Sequence, residues 1–222
     1  MIRNDYLMRL TEQFTQSLAI ALGFQRARDY SKALSVIQNT LQQIFGVDAT
    51  FLEAIHEEDL LILLRSSGAL DPDRTVMIAA LEKLAGEIHE AQGQEEDAYY
   101  AYLKSLTLYL EVLLSDEDTL LKDYIPEIDS LLVKFTDYDL SCETKFRLLL
   151  YYEKTGNYGG AEDVLYELLE DEETGSEMLR EGIGFYRRLL LKSDVELIAG
   201  QLPRDEVEEG LASLEQQLQD KE

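Results

Sequence analysis

Three short segments of this chain repeat one pattern at nearly constant distance. Arg28-Asp29-Tyr30-Ser31-Lys32-Ala33, Gly93-Gln94-Glu95-Glu96-Asp97-Ala98 and Gly156-Asn157-Tyr158-Gly159-Gly160-Ala161 each lie between two apolar helical patterns, and each ends in an alanine that opens the second. Ala33, Ala98 and Ala161 stand 65 and then 63 residues apart. Such a unit constrains architecture more than any single residue, because a helical hairpin cannot bury its apolar face alone and must stack on neighbours. The pattern predicts an all-α chain, an irregular α-α superhelix of hairpins with additional linking helices.

The hairpins are expected at about residues 4–45, 74–114 and 141–169. In the first, Leu7, Leu10, Phe14, Leu18, Ala21 and Leu22 recur at three- and four-residue steps, which puts them on one stripe. Ser31 is the expected N-cap of the second helix, which carries Ala33, Leu34, Ile37, Leu41 and Ile44 and stops at Gly46. The second hairpin pairs Met77, Leu81, Leu84 and Ile88 with Ala98, Tyr102, Leu106, Tyr109 and Leu113. Between these two hairpins, short helices are expected at 50–55 and 57–65, with turns at Ser66-Ser67-Gly68 and Asp71-Pro72-Asp73. A linking helix, N-capped within residues 115–118, is expected through Leu120, Tyr124, Ile128, Leu131 and Leu132 to Phe135. After the third hairpin and an acidic turn at 170–174, a further helix spans about 176–191. The repeat domain thus covers 1–202, and a polar helix over 203–222, with Val207, Leu211, Leu214 and Leu218, either caps it or remains mobile.

The hairpins resemble tetratricopeptide repeats. In that family a small residue and an aromatic on helix A interlock with an alanine and a large residue on helix B. Aligned on the alanines, the small position falls on Ala21, Gly86 and Leu149, and the aromatic position on Phe24, His89 and Tyr152. The turn tyrosine falls on Tyr30, Glu95 and Tyr158, and the large helix B position on Ile37, Tyr102 and Leu165. The family's closing proline is replaced by Phe45, Leu110 and Glu173, and the spacing is almost twice the usual length. Degenerate helices filling the gaps account for both departures. The opening Met1 to Tyr6, the stretch Tyr102 to Leu110 and the segment Tyr151 to Leu169 are also similar to an uncharacterised bacterial family of short tetratricopeptide-like proteins.

Charge narrows the partners. With 20 basic and 45 acidic residues the chain carries a net charge of −25, so phosphate backbones and anionic membrane surfaces are disfavoured. Cys142 is the only cysteine, which excludes an internal disulfide. The longest apolar run, Leu60 to Leu64, is far below the roughly 20 residues that span a bilayer. Met1 to Tyr6 is too polar for a signal peptide, and a cytoplasmic location without membrane insertion is expected.

Chemistry is nearly absent from the sequence. His56 and His89 lack a second histidine at metal-ligand spacing, and His56-Glu57-Glu58-Asp59 is best read as a solvated acidic turn. Cys142, at the start of an expected helix, is best read as a small packing residue. Neither Asp71-Pro72-Asp73 nor Asp116-Glu117-Asp118 continues as a calcium loop, and the glycines of the third turn lack a P-loop lysine. No catalytic, metal or cofactor residue is assigned, and no enzyme is expected. Tyr102 and Tyr109 share a helix face and should be core, which leaves Tyr99 or Tyr100 for a surface.

A binding role follows. In tetratricopeptide arrays exposed helix A residues line a concave groove. Carried onto this register, the groove comprises Leu22, Gln25, Lys83, Glu87, Glu90, Phe146, Leu150 and Glu153. The resemblance implies a scaffold or adaptor for a protein or peptide. The acids favour a basic or amphipathic segment, and Phe146 and Leu150 serve as apolar anchors. The alternative is a structural protein whose helical surface mediates self-association, including a homodimer. A small-ligand sensor or enzyme is less favoured.

Overall fold

The three repeated turns are copies of one backbone geometry. Arg28, Gly93 and Gly156 occupy the same register position, and all three adopt positive φ, at 59°, 73° and 84°. The following residue donates its N–H to the carbonyl five residues back: Asp29 to Phe24, Gln94 to His89 and Asn157 to Tyr152, each at 2.9 Å. The positive-φ residue itself donates to the carbonyl three back, on Gln25, Glu90 and Glu153. This is the helix-terminating pair of bonds in which a left-handed residue satisfies the last free carbonyls. Ala33, Ala98 and Ala161 then donate to Asp29, Gln94 and Asn157 at 3.0–3.1 Å and begin the second helix. The expected N-cap role of Ser31 is not realised: the second helix starts two residues earlier, at Tyr30, with Asp29 at the cap and no side-chain capping bond.

One of these turns carries a residue ill suited to it. A left-handed conformation costs an L-residue about 1–2 kcal/mol and glycine almost nothing. Arg28→Gly is therefore expected to raise stability by about 1 kcal/mol, seen as a higher urea midpoint with an unchanged slope. A lower midpoint would show that the Arg28 side chain contributes more than its backbone costs.

The computed structural model describes residues 2–46, 51, 55–66, 69–115, 117–126, 128–170 and 175–221. It is all-α apart from one two-residue antiparallel pair, with eleven α-helices among the described residues. The chain divides into two compact units, Met1–Tyr138 and Asp139–Glu222. The short helix expected over 50–55 lies largely outside the described residues, as do parts of the turns at 66–68 and 170–174 and Asp116.

The first unit contains α1 (Ile2–Arg26), α2 (Tyr30–Phe45), α3 (Glu57–Leu64), the pair β1 (Arg65–Ser66) and β2 (Ala69–Leu70), α4 (Pro72–Ala91), α5 (Glu95–Leu114) and α6 (Ile128–Leu132). Two 3-10 turns, Lys122–Tyr124 and Val133–Phe135, flank α6. α5 is the centre of this unit, buried at every residue from Ala101 to Leu110. α4 packs along it, α3 covers another part of it, and α6 and its following turn cover a third. The segments that lengthen the repeat therefore close over α5. At the start of α4, Pro72 occupies the first turn and Asp71 accepts the Arg74 N–H. Asp73 ties the linker down: its Oδ1 accepts from the Thr119 hydroxyl and the Leu120 N–H, both at 2.7 Å.

The linking helix expected from Leu120 to Phe135 is not continuous. Pro126, within the break between the first 3-10 turn and α6, removes an N–H donor and disfavours helical geometry in the residue before it. The helix expected to reach Arg65 ends at Leu64, and Arg65 instead pairs with Leu70 across the small hairpin.

The second unit contains α7 (Cys142–Thr155), α8 (Tyr158–Leu169), α9 (Gly175–Leu189), α10 (Asp194–Ala199) and α11 (Arg204–Lys221). Ser141 caps α7 and Asn157 caps α8 through their side chains. α10 lies in a segment assigned to no helix from sequence, although Ser193 and Glu196 form a reciprocal capping box. Gln201 follows with positive φ, and Leu202 donates to Leu197 at 3.0 Å, a fourth turn of the same kind. The polar C-terminal helix belongs to this unit: Val207 and Leu214 are buried in the same core as Leu179, Phe185, Tyr186 and Leu189 of α9.

Candidate functional site

The residues at the aligned small and large positions lie in the interior. Ala21, Gly86 and Leu149 are all buried, as are Ile37, Tyr102 and Leu165. Gly86 sits against the Tyr102 ring so closely that a Cβ there would lie 2.7 Å from Cδ1. The Tyr102 hydroxyl donates to Glu90 Oε2 at 2.7 Å, and Lys134 Nζ binds the same carboxylate at 2.8 Å. Those bonds, the Lys134 one first, hold the Glu90 carboxyl below its ordinary value. Burial and then the neighbouring Glu90 push the Tyr102 phenol well up.

Five expected groove residues lie in the first unit and three in the second. Leu22 is half-buried. Gln25 Nε2 donates to Glu87 Oε2 at 3.1 Å, and Lys83 forms an ion pair with the same Glu87. Gln25, Lys83 and Glu87 are thus brought together, while Glu90 is engaged by Tyr102 and Lys134. In the second unit, Phe146 and Leu150 pack half-buried against the core cluster. Glu153 receives a two-pronged contact from Arg188, Nε to Oε1 at 2.7 Å and Nη2 to Oε2 at 2.8 Å. The guanidinium also reaches Glu181, and these carboxylates, Glu153 foremost, raise its already high pKa. Each acid chosen to attract a basic ligand already holds an internal donor.

A different concavity is present in the first unit. A cleft of about 440 Å³ opens between α2, the segment entering α3, α4 and α5. That volume is within the roughly 300–1,000 Å³ range of ligand pockets. Leu34, Ile37 and Leu41 of α2 form an apolar wall, and Ala85 and Ala101 face it from α4 and α5. Glu82 and Lys104 are charged yet buried, and both make interactions within the fold. Toward the mouth stand Gln38, His56, Glu57, His89, Asp97 and Tyr100. His89 Nδ1 shares a 3.0 Å hydrogen bond with Gln94 Oε1. Glu57 and Asp97 make no ion pair among the described residues, in contrast to Glu87, Glu90 and Glu153.

The helical spacing explains why one helix serves two surfaces. On α4, Lys83, Glu87 and Glu90 follow steps of four and three residues, and Glu82, Ala85 and His89 follow steps of three and four. These are neighbouring stripes of one helix. Sequence reasoning selected the first, and the cleft uses the second. Both histidines of the chain line the cleft, although the sequence placed His56 in a solvated turn and His89 at a packing position. Tyr100 is the exposed tyrosine of the Tyr99–Tyr100 pair, whereas Tyr99 meets the Phe135 ring edge to face and lies tilted against Tyr138. Among the described residues no group of three or more His, Cys, Asp or Glu side chains is placed to hold a metal ion. None of the described helices is long and apolar enough to cross a membrane.

No curated protein and no solved structure gives a significant match to the chain. The sequence profile of the family of unknown function DUF6483 matches residues 1–219, and the chain belongs to that family.

Proposed function

We propose that the protein is a non-catalytic, tetratricopeptide-like adaptor whose first unit binds a basic, amphipathic segment of a partner protein in the cleft between α2, α4 and α5. The tetratricopeptide-like build is supported by the shared turn geometry and by the Gly86–Tyr102 interlock. The observation that carries the binding reading is the pairing of an apolar wall, Leu34, Ile37 and Leu41, with the carboxylates of Glu57 and Asp97, which lack internal ion pairs among the described residues. Apolar burial supplies affinity, and the carboxylates select cations and speed their encounter with a protein of net charge −25.

A phage-displayed random-peptide library panned against the full chain tests this. Enriched peptides are expected to combine Lys or Arg with Leu, Ile or Phe. The best of them should bind Glu57→Lys/Asp97→Lys at least about tenfold more weakly at low salt, with a smaller difference at high salt. Glu177→Lys/Glu208→Lys, the same charge change at exposed sites of the second unit, should leave the affinity within about twofold. Failure to enrich any peptide, or enrichment of acidic ones, would overturn the reading.

A further inference from the structure

The apolar run Leu60-Leu61-Ile62-Leu63-Leu64 fills most of α3, and a helix turns about 100° per residue. Five consecutive apolar residues cannot all face inward. Leu60, Leu61 and Leu64 are buried, whereas Ile62 and Leu63 are 68 % and 49 % exposed. Phe51 adds a third large apolar side chain at 48 % exposure, and the three surround a shallow depression of about 420 Å³ with Ile55, His56 and Asp59. Ile55 and His56 line the cleft as well. The depression is therefore an outward continuation of the cleft, a ledge beside its mouth.

The charges at this ledge have one sign. Glu57, Glu58 and Asp59 form the first turn of α3, and Asp59, on the ledge itself, makes no ion pair among the described residues. A second copy of this chain would bring a net charge of −25 against that rim, which is unfavourable. A helix with an apolar stripe and Lys or Arg beside it matches both features, because side chains at three- and four-residue spacing share a face and basic residues flank it.

We propose that Phe51, Ile62 and Leu63 form a docking ledge for the apolar face of a basic amphipathic helix in the partner, with Asp59 and Glu57 receiving its flanking cations and the cleft receiving one of its side chains. This inference rests on the reading that the cleft binds a basic amphipathic segment, and it names the additional surface and the helical form of the partner.

The test uses the most enriched library peptide, fluorescently labelled, with Kd read by anisotropy. Ile62→Gln/Leu63→Gln alters only exposed side chains and is expected to keep the wild-type thermal melt while weakening binding about tenfold or more. The peptide's circular dichroism should turn helical on binding. An unchanged Kd in this variant, with binding still lost in Glu57→Lys/Asp97→Lys, would overturn the ledge and leave the cleft reading intact. A peptide that stays non-helical when bound would also overturn it. Absence of any enriched peptide would remove both together. Sedimentation velocity without peptide addresses self-association: a wild-type dimer that becomes a monomer in Ile62→Gln/Leu63→Gln would make the ledge an interface between copies and overturn the proposal.

Discussion

Gly86→Val is expected to destabilise the first unit by about 3 kcal/mol, the upper end of the usual cost of overpacking a core. Glycine in a helix interior costs about 1 kcal/mol relative to alanine, so its place in the middle of α4 needs a compensating reason. The reason is the Tyr102 ring, whose Cδ1, Cε1 and Cγ would lie 2.7, 2.8 and 3.0 Å from an added Cβ. The ring cannot step aside cheaply. Its hydroxyl is bonded to Glu90, and Lys134 Nζ stands 5.4 Å over its centroid. Gly86→Ala should lose less, about 1 kcal/mol, because its gain in helix propensity offsets part of the clash. Tyr102→Leu vacates the space, so Gly86→Val/Tyr102→Leu should be more stable than the sum of the single losses predicts, by about 2 kcal/mol. Urea unfolding followed by circular dichroism measures all four proteins. Additive losses would show that the two residues do not interlock.

The architecture was legible because its signals are local. A turn with glycine before a helix-opening alanine can be read without knowing any distant contact, and Gly93 and Gly156 adopt the left-handed backbone that glycine permits. Arg28 was found only through its register with those two. The spacing of 63–65 residues predicted inserted structure, and α3, the small strand pair and α6 supply it. What failed was also local and readable. Pro126 forbids a continuous linking helix, and Ser193 with Glu196 is a capping-box spacing that announces α10.

The site was less legible because it depends on which charges find partners. Glu90 is neutralised by Lys134, 44 residues away in sequence, and Glu153 by Arg188, 35 residues away. No helical wheel reports such pairings. The cleft likewise depends on how α2, the segment entering α3, α4 and α5 come together, and its residues come from four separated stretches of the chain. Periodicity identified Leu34, Ile37 and Leu41 as one face of α2 but not that part of this face borders a cavity. One signal was available: the five-residue apolar run of α3 exceeds what a short amphipathic helix can bury on one side, and it marks the ledge.

In the second unit, Tyr186→Ala is expected to cost about 4 kcal/mol, within the range for removing a large buried side chain. The ring is fully buried, and α11 accommodates it with Gly210, where a Cβ would lie 2.4 Å from the ring's Cζ. Tyr186→Phe keeps the ring and removes only the hydroxyl, which donates to Glu162 Oε1 at 2.6 Å. Because the acceptor is a carboxylate, that bond is expected to be worth about 1.5–3 kcal/mol at neutral pH. The loss should depend on pH. Burial holds the Glu162 carboxyl above its ordinary value, the nearby Glu206 and Asp163 add to this, and the Tyr186 hydroxyl opposes it. A carboxyl raised in the folded state contributes stability below its unfolded pKa and loses it as pH rises through the folded one. Removing the hydroxyl raises the Glu162 pKa further, so the penalty of Tyr186→Phe is fully developed at neutral pH. It shrinks as pH falls from neutral through the folded-state values of the two proteins, which both lie above the ordinary glutamate value of 4.5, and is smallest by that pH, where Glu162 is protonated in both folded proteins. Chemical denaturation of wild type and Tyr186→Phe across that pH interval reads the difference directly. A penalty that stays constant, or grows toward acid, would show that Tyr186 does not stabilise an ionised Glu162. Adding Glu162→Met to Tyr186→Phe removes acceptor and donor together, and the double variant should recover most of the stability lost at neutral pH.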